Sequence, residues 1–149
     1  MRPWITSDKS PESGRASLEF LVFGVGVMIP VMFLGMSLWS IQEAQFAANS
    51  AATQAARVFV QENDLVDASR RAERAALVAV KNHGFSSYSG FQRKCAPASC
   101  LSPGSVVTMW VAVDAPLFTS DFLPGVLGAE TVMVSAESAR VVSRYGVPR

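Results

Sequence analysis

The sequence predicts an α+β chain. A long N-terminal helix, membrane-spanning in its first half, precedes a small outer domain with a second helix and a β-hairpin or small antiparallel sheet. Three observations carry this. Residues 20–39 contain no charged position, alanines recur at helical spacing over 44–56 and 68–79, and the stretches 105–113 and 131–142 alternate and are rich in β-branched residues. At 149 residues the chain has room for one modest domain with an appended helix. A formal net charge of +1 points to no polyanionic partner, so nucleic-acid binding is not expected.

The first element is the charge-free run "FLVFGVGVMIPVMFLGMSLW". Twenty helical residues rise about 30 Å, the thickness of a bilayer's hydrocarbon core. Arg2, Lys9 and Arg15 precede the run, and the first basic residue after it is Arg57. The positive-inside rule then predicts a cytoplasmic N-terminus and an extracytoplasmic remainder. A cleaved secretory signal fits poorly, because the run is long and only Ser50–Ala52 offers a small-x-small site. Pro30, with Gly24, Gly26 and Gly35, is expected to weaken or kink the span. Glycine and proline are also ordinary in membrane helices, so no pliability follows from them alone.

Glu19 sits at the edge of the run, and the next charge is Glu43. A carboxylate at mid-membrane costs on the order of 3 kcal/mol, and less near the interface. Two readings stand side by side. Glu19 lies among headgroups and favours the positive end of the helix dipole, or it meets a positive partner inside the membrane.

The stretch "GRASLEF" places Gly14, four residues, Glu19 and then Phe20 ahead of an apolar helix. This resembles the processing site of type IV prepilins, where a membrane-embedded peptidase cuts after the glycine on the cytoplasmic side. The resemblance implies a leader over residues 1–14, Arg15 as the new N-terminus, and Glu19 as the group that receives a neighbour's α-amino charge. From Gly14 onward the chain is similar to the TadE-like pseudopilins of tight-adherence (Flp) pilus systems. The acid–aromatic pair Glu19–Phe20, the proline in the span and the alanine-rich helix ending at Arg57 carry that similarity. So do "CAPASCLSPGSVVTMWVAVDAPLF" and "TVMVSAESARVVSRYG" further on. Arg15 departs from the apolar residue usual there in filament-forming pilins, and Pro30 falls eleven residues after Glu19, later than in many members. The implied partners are a prepilin peptidase, other pilins or pseudopilins, the inner-membrane assembly proteins and the lipid bilayer.

The mature chain then divides into a transmembrane and assembly helix, 15–62, and an extracytoplasmic α+β domain, 63–149. Ala44, Ala48, Ala51 and Ala55, with Ala47, Ala52 and Ala56 beside them, make a flat stripe. Either the chain's own outer domain or a neighbouring subunit can pack on it, the former being preferred. Residues 65–82 read as a second helix, with Leu65, Ala68, Ala72, Ala75, Ala76 and Ala79 inward and Arg70, Arg71, Glu73 and Arg74 outward. His83 reads as a capping or surface residue, and Gly84 as the C-terminal cap.

Cys95 and Cys100 stand five apart in "CAPASC", on the side expected to be oxidising. A disulfide closing so short a loop stabilises by about 2 kcal/mol. A zinc site is the alternative, but His83 is the sole histidine and the C-x₂-C spacing is missing. Between the two predicted strands, Phe118, Phe122 and Leu123 read as core filling or a partner-contact patch. No enzyme is expected. His83 has no motif around it, Asp114 and Asp121 make no catalytic pair, and Gly24 and Gly26 lie inside the span rather than in a phosphate loop. No cofactor and no metal are implied.

Overall fold

The computed structural model describes residues 12–97, 99–117 and 131–145, with side chains from Arg15 onward. Two helices are followed by three strands: α1 (Glu12–Phe59), α2 (Leu65–Asn82), β1 (Gly90–Ala96), β2 (Val106–Pro116) and β3 (Thr131–Val141). The strands form one antiparallel sheet in the order β1-β2-β3. This is the expected α+β layout.

The chain divides into two compact units, residues 1–36 and 37–149. In the first, α1 runs unbroken through Pro30. Large apolar residues point outward all round: Phe20, Phe23, Met28 and Leu34 are each more than half exposed. α1 is long and apolar enough to cross a membrane, and protein covers none of its most apolar window.

The second unit holds the core. From Ala44 to Phe59, every third or fourth residue of α1 is fully covered: Ala44, Ala47, Ala48, Ala51, Ala52, Ala55, Ala56 and Phe59. They share one buried cluster with Ala68, Ala72, Ala76 and Val80 of α2 and with Val107, Met109, Val111 and Val113 of β2. The alanine stripe therefore packs on the chain's own domain. Methyl-sized side chains let backbones approach closely, so the cluster is filled by many small groups and one large ring. Ser40 Oγ donates to the Pro116 carbonyl at 2.7 Å, and Thr53 Oγ1 meets Ser138 Oγ at 3.5 Å, which ties this part of α1 to the sheet.

α1 begins three residues before the expected 15 and ends at Phe59, three short of the expected 62. The chain turns there, with Gln61 and Glu62 donating back to the Val58 and Phe59 carbonyls. Asp64 is extended and its carboxylate accepts from the Val66 N–H, which caps α2. α2 covers the expected residues, but Leu65 stays 45 % exposed because it is the first residue, ahead of the buried stripe. Its C-terminus closes in a Schellman motif. Phe85 N–H donates to the Val80 carbonyl, Gly84 N–H donates to that of Lys81, and Gly84 takes φ +85°, a conformation glycine adopts without strain. His83 is the C-cap residue.

β2 is the central strand, and its odd-numbered residues from Val107 to Ala115 are fully buried. The opposite face carries Val106, Thr108, Trp110 and Asp114, none of them buried, with Ala112 the exception. β1 is a third strand beside the two expected from the sequence. Its outward Gln92 and Lys94 dilute the apolar signal of Phe91 and Cys95, and pairing with β2 rather than propensity makes it extended. Phe118, Asp121, Phe122 and Leu123 lie outside the described residues.

Candidate functional site

Three groups of residues were expected to carry function. The first is the N-terminal end of α1. Gly14 lies in the first turn of the helix, and the Gly14–Arg15 bond is helical. Arg15 and Glu19 are one helical turn apart and both exposed, and no ion pair joins them. Phe20, next to Glu19, is 81 % exposed. Within the described residues, then, Glu19 projects from an apolar segment with Arg15 one turn before it and no ion pair formed.

The second group is the span interior. Pro30 neither ends nor interrupts α1. A Cβ added at Gly24, Gly26 or Gly35 would meet nothing within 4 Å, so no packed neighbour among the described residues requires those glycines.

The third group is the cysteine pair. Cys95 and Cys100 are joined at an S–S distance of 2.06 Å with Cα atoms 5.0 Å apart, and the Ala96–Pro97 peptide between them is cis. The link fastens the end of β1 to the turn before β2. There Ser105, buried, donates from its hydroxyl to the Cys100 carbonyl at 3.3 Å. Gly104, at φ +83°, lies under the Arg144 guanidinium, whose Nε would stand 2.8 Å from an added Cβ. Val142 closes the same corner, donating to the Ser105 carbonyl and accepting from Gly104 N–H. Among the described residues no three His, Cys, Asp or Glu side chains group as metal ligands would.

Two arrangements had no signal in the sequence. The Arg93 guanidinium lies 5.0 Å from the centroid of the Phe59 ring and donates to Ser69 Oγ, so β1 clamps the end of α1 to α2. Trp110 lies on Gly90: a Cβ there would fall 2.6 Å from the indole Cζ3. Long-range pairings of this kind depend on register, which residue types alone do not reveal. Near β1, Tyr88 stacks at 5.6 Å on Phe91. Burial, with the Glu73 carboxylate adding to it, raises the Tyr88 phenol above its ordinary 10.0.

Fold and site together define a chain with one helix able to cross a membrane and an α+β domain closed by a disulfide. No protein-family model, curated protein or solved structure matches it.

Proposed function

We propose that this chain is a pilin-like subunit, a minor pilin or pseudopilin of a tight-adherence pilus or secretion apparatus. It inserts in the cytoplasmic membrane with residues 1–14 inside and the α+β domain outside. A prepilin peptidase cuts between Gly14 and Arg15, and the mature chain joins other pilins through α1. One observation carries the reading. Residues 15–36 present large apolar side chains that are mostly exposed, and the one carboxylate among them, Glu19, forms no ion pair among the described residues. A lone acid at such a place calls for a positive group supplied from outside the chain. The α-amino group of a neighbouring processed subunit has that charge, and the order Gly14, Arg15, Glu19, Phe20 supports its origin by cleavage.

A second reading, a permanently anchored single-pass protein whose outer domain binds a ligand or envelope partner, is favoured by one feature. The Gly14–Arg15 bond lies within α1 and must fray before a protease can take it as an extended segment. A first turn frays readily, its four N–H groups having no intrahelical acceptor.

Intact mass of the protein from cells with and without the prepilin peptidase separates the two. The expected product begins at Arg15 only when the peptidase is present; a chain retaining Met1 in both strains overturns the pilin reading. In the same cells Glu19→Ala is expected to be cut normally yet to be missing from the assembly. Normal recruitment would leave Glu19 with its interfacial role alone.

A further inference from the structure

The outward face of the sheet holds a cleft of about 150 Å³ lined by Gln92, Lys94, Thr108, Trp110 and Glu137. It belongs to two neighbouring rungs of the ladder, in which Gln92, Trp110 and Glu137 lie in register across the three strands and Lys94 faces Thr108. We propose that this cleft binds a single uncharged hexopyranose unit of a glycan, with the Trp110 indole as its platform.

The platform is built rather than incidental. Gly90 is the position where an added Cβ would stand 2.6 Å from the Trp110 Cζ3 and 3.0 Å from Cη2. The absence of a side chain there lets the ring settle on the β1 backbone, which fixes the indole on the outward face. Around the ring stand an amide, a hydroxyl, an ammonium and a carboxylate. Among the described residues, none of these four side chains has a hydrogen bond or ion pair within the chain.

The donor set selects the ligand class. Gln92 and Thr108 donate and accept, Lys94 only donates and Glu137 only accepts. The two charges cancel, so neither an anion nor a cation is favoured by net charge. A ligand that matches must offer an apolar C–H face to the electron-rich ring and a rim of hydroxyls to the four side chains. A pyranose does both. A site of this size and shallowness is expected to half-saturate at roughly 1–10 mM for one ring. The inference does not depend on whether the chain is processed or assembled.

The test uses the full chain in lipid nanodiscs prepared without glycoside detergent. Trp4→Phe and Trp39→Phe leave Trp110 as the sole indole of the three. Its ¹⁵N-indole resonance is followed during titration with methyl glucopyranoside, methyl galactopyranoside and N-acetylglucosamine, with glycerol and tetramethylammonium as controls. At least one sugar is expected to give a saturable shift that the controls do not. Gln92→Ala with Glu137→Ala, two exposed positions, is expected to weaken that binding about tenfold or more while the spectrum of the fold is retained. Three results would overturn the inference: a non-saturable shift shared with glycerol, sugar binding that the double variant leaves unchanged, or a response to tetramethylammonium and to no sugar.

Discussion

In its first half α1 displays Phe20, Phe23, Met28 and Leu34 with most of their surface open, whereas in its second half Ala44, Ala48, Ala51 and Ala55 are covered completely. The two stretches belong to one helix, yet the larger apolar residues are the uncovered ones. Hydrophobicity alone therefore does not say what covers a helix. Side-chain size and its periodicity do. Large residues on every side suit a medium that adapts to them, as lipid does, while small residues on one side suit a fixed surface of protein. In the second unit that surface is α2 and the sheet, with Phe59 the one large fully buried ring of the cluster.

The contrast can be broken most forcefully at Phe59. Phe59→Ala removes the buried ring and the face on which Arg93 stacks, and it is expected to cost about 3–5 kcal/mol in denaturant unfolding of the outer domain. A loss under 1 kcal/mol would mean that the cluster does not hold the domain together.

Next in size is a paired substitution. Ala51→Leu adds bulk where nothing is exposed and is expected to destabilise by about 1–3 kcal/mol. Gly26→Leu adds similar bulk where an added Cβ meets nothing within 4 Å, and it is expected to leave domain unfolding unchanged. Equal effects at the two sites would erase the distinction between the halves.

Smaller effects sharpen the account of the second unit. Asp64→Ala removes the carboxylate that caps α2 and is expected to cost about 1 kcal/mol, read by the same unfolding midpoint. Smallest is the titration of Tyr88. Because its folded-state phenol is raised above 10.0, the domain is at full strength below that pH and loses stability as pH climbs through the raised value. Ultraviolet titration is expected to show Tyr88 ionising above the ordinary phenol value of 10.0, with Glu73→Gln bringing it part of the way back. Ionisation of Tyr88 at the ordinary value would remove the burial argument.

Much of this was readable from residue order. The charge-free run, the alanine spacing and the alternation in 131–142 each reflect a local period, and each led to an element the structure contains. α2 was legible to the residue because its alanine spacing is strict and Gly84 closes it; the Asp64 cap came only with the structure. β1 was not, since a short edge strand with Arg93 and Lys94 owes its conformation to a partner ten or more residues away. The pairings of Trp110 with Gly90 and of Arg93 with Phe59 were hidden for the same reason. At the N-terminal end the position is reversed: Gly14, Arg15, Glu19 and Phe20 attract attention as a pattern, and the fold adds only that they share one helix and that Glu19 forms no ion pair among the described residues.

The central claim, that different media cover the two halves of α1, is tested most directly by a nitroxide scan. Single labels would be placed from residue 20 to residue 59 of the full chain in lipid nanodiscs, and collision with oxygen compared with collision with a water-soluble nickel chelate. The account predicts high oxygen accessibility on every side of the helix from 20 to 36. From 44 to 59 it predicts a period of about 3.6 residues, with minima at Ala44, Ala48, Ala51 and Ala55. The same 3.6-residue rhythm between 20 and 36 would contradict it, because a protein face and not lipid would then cover the first half.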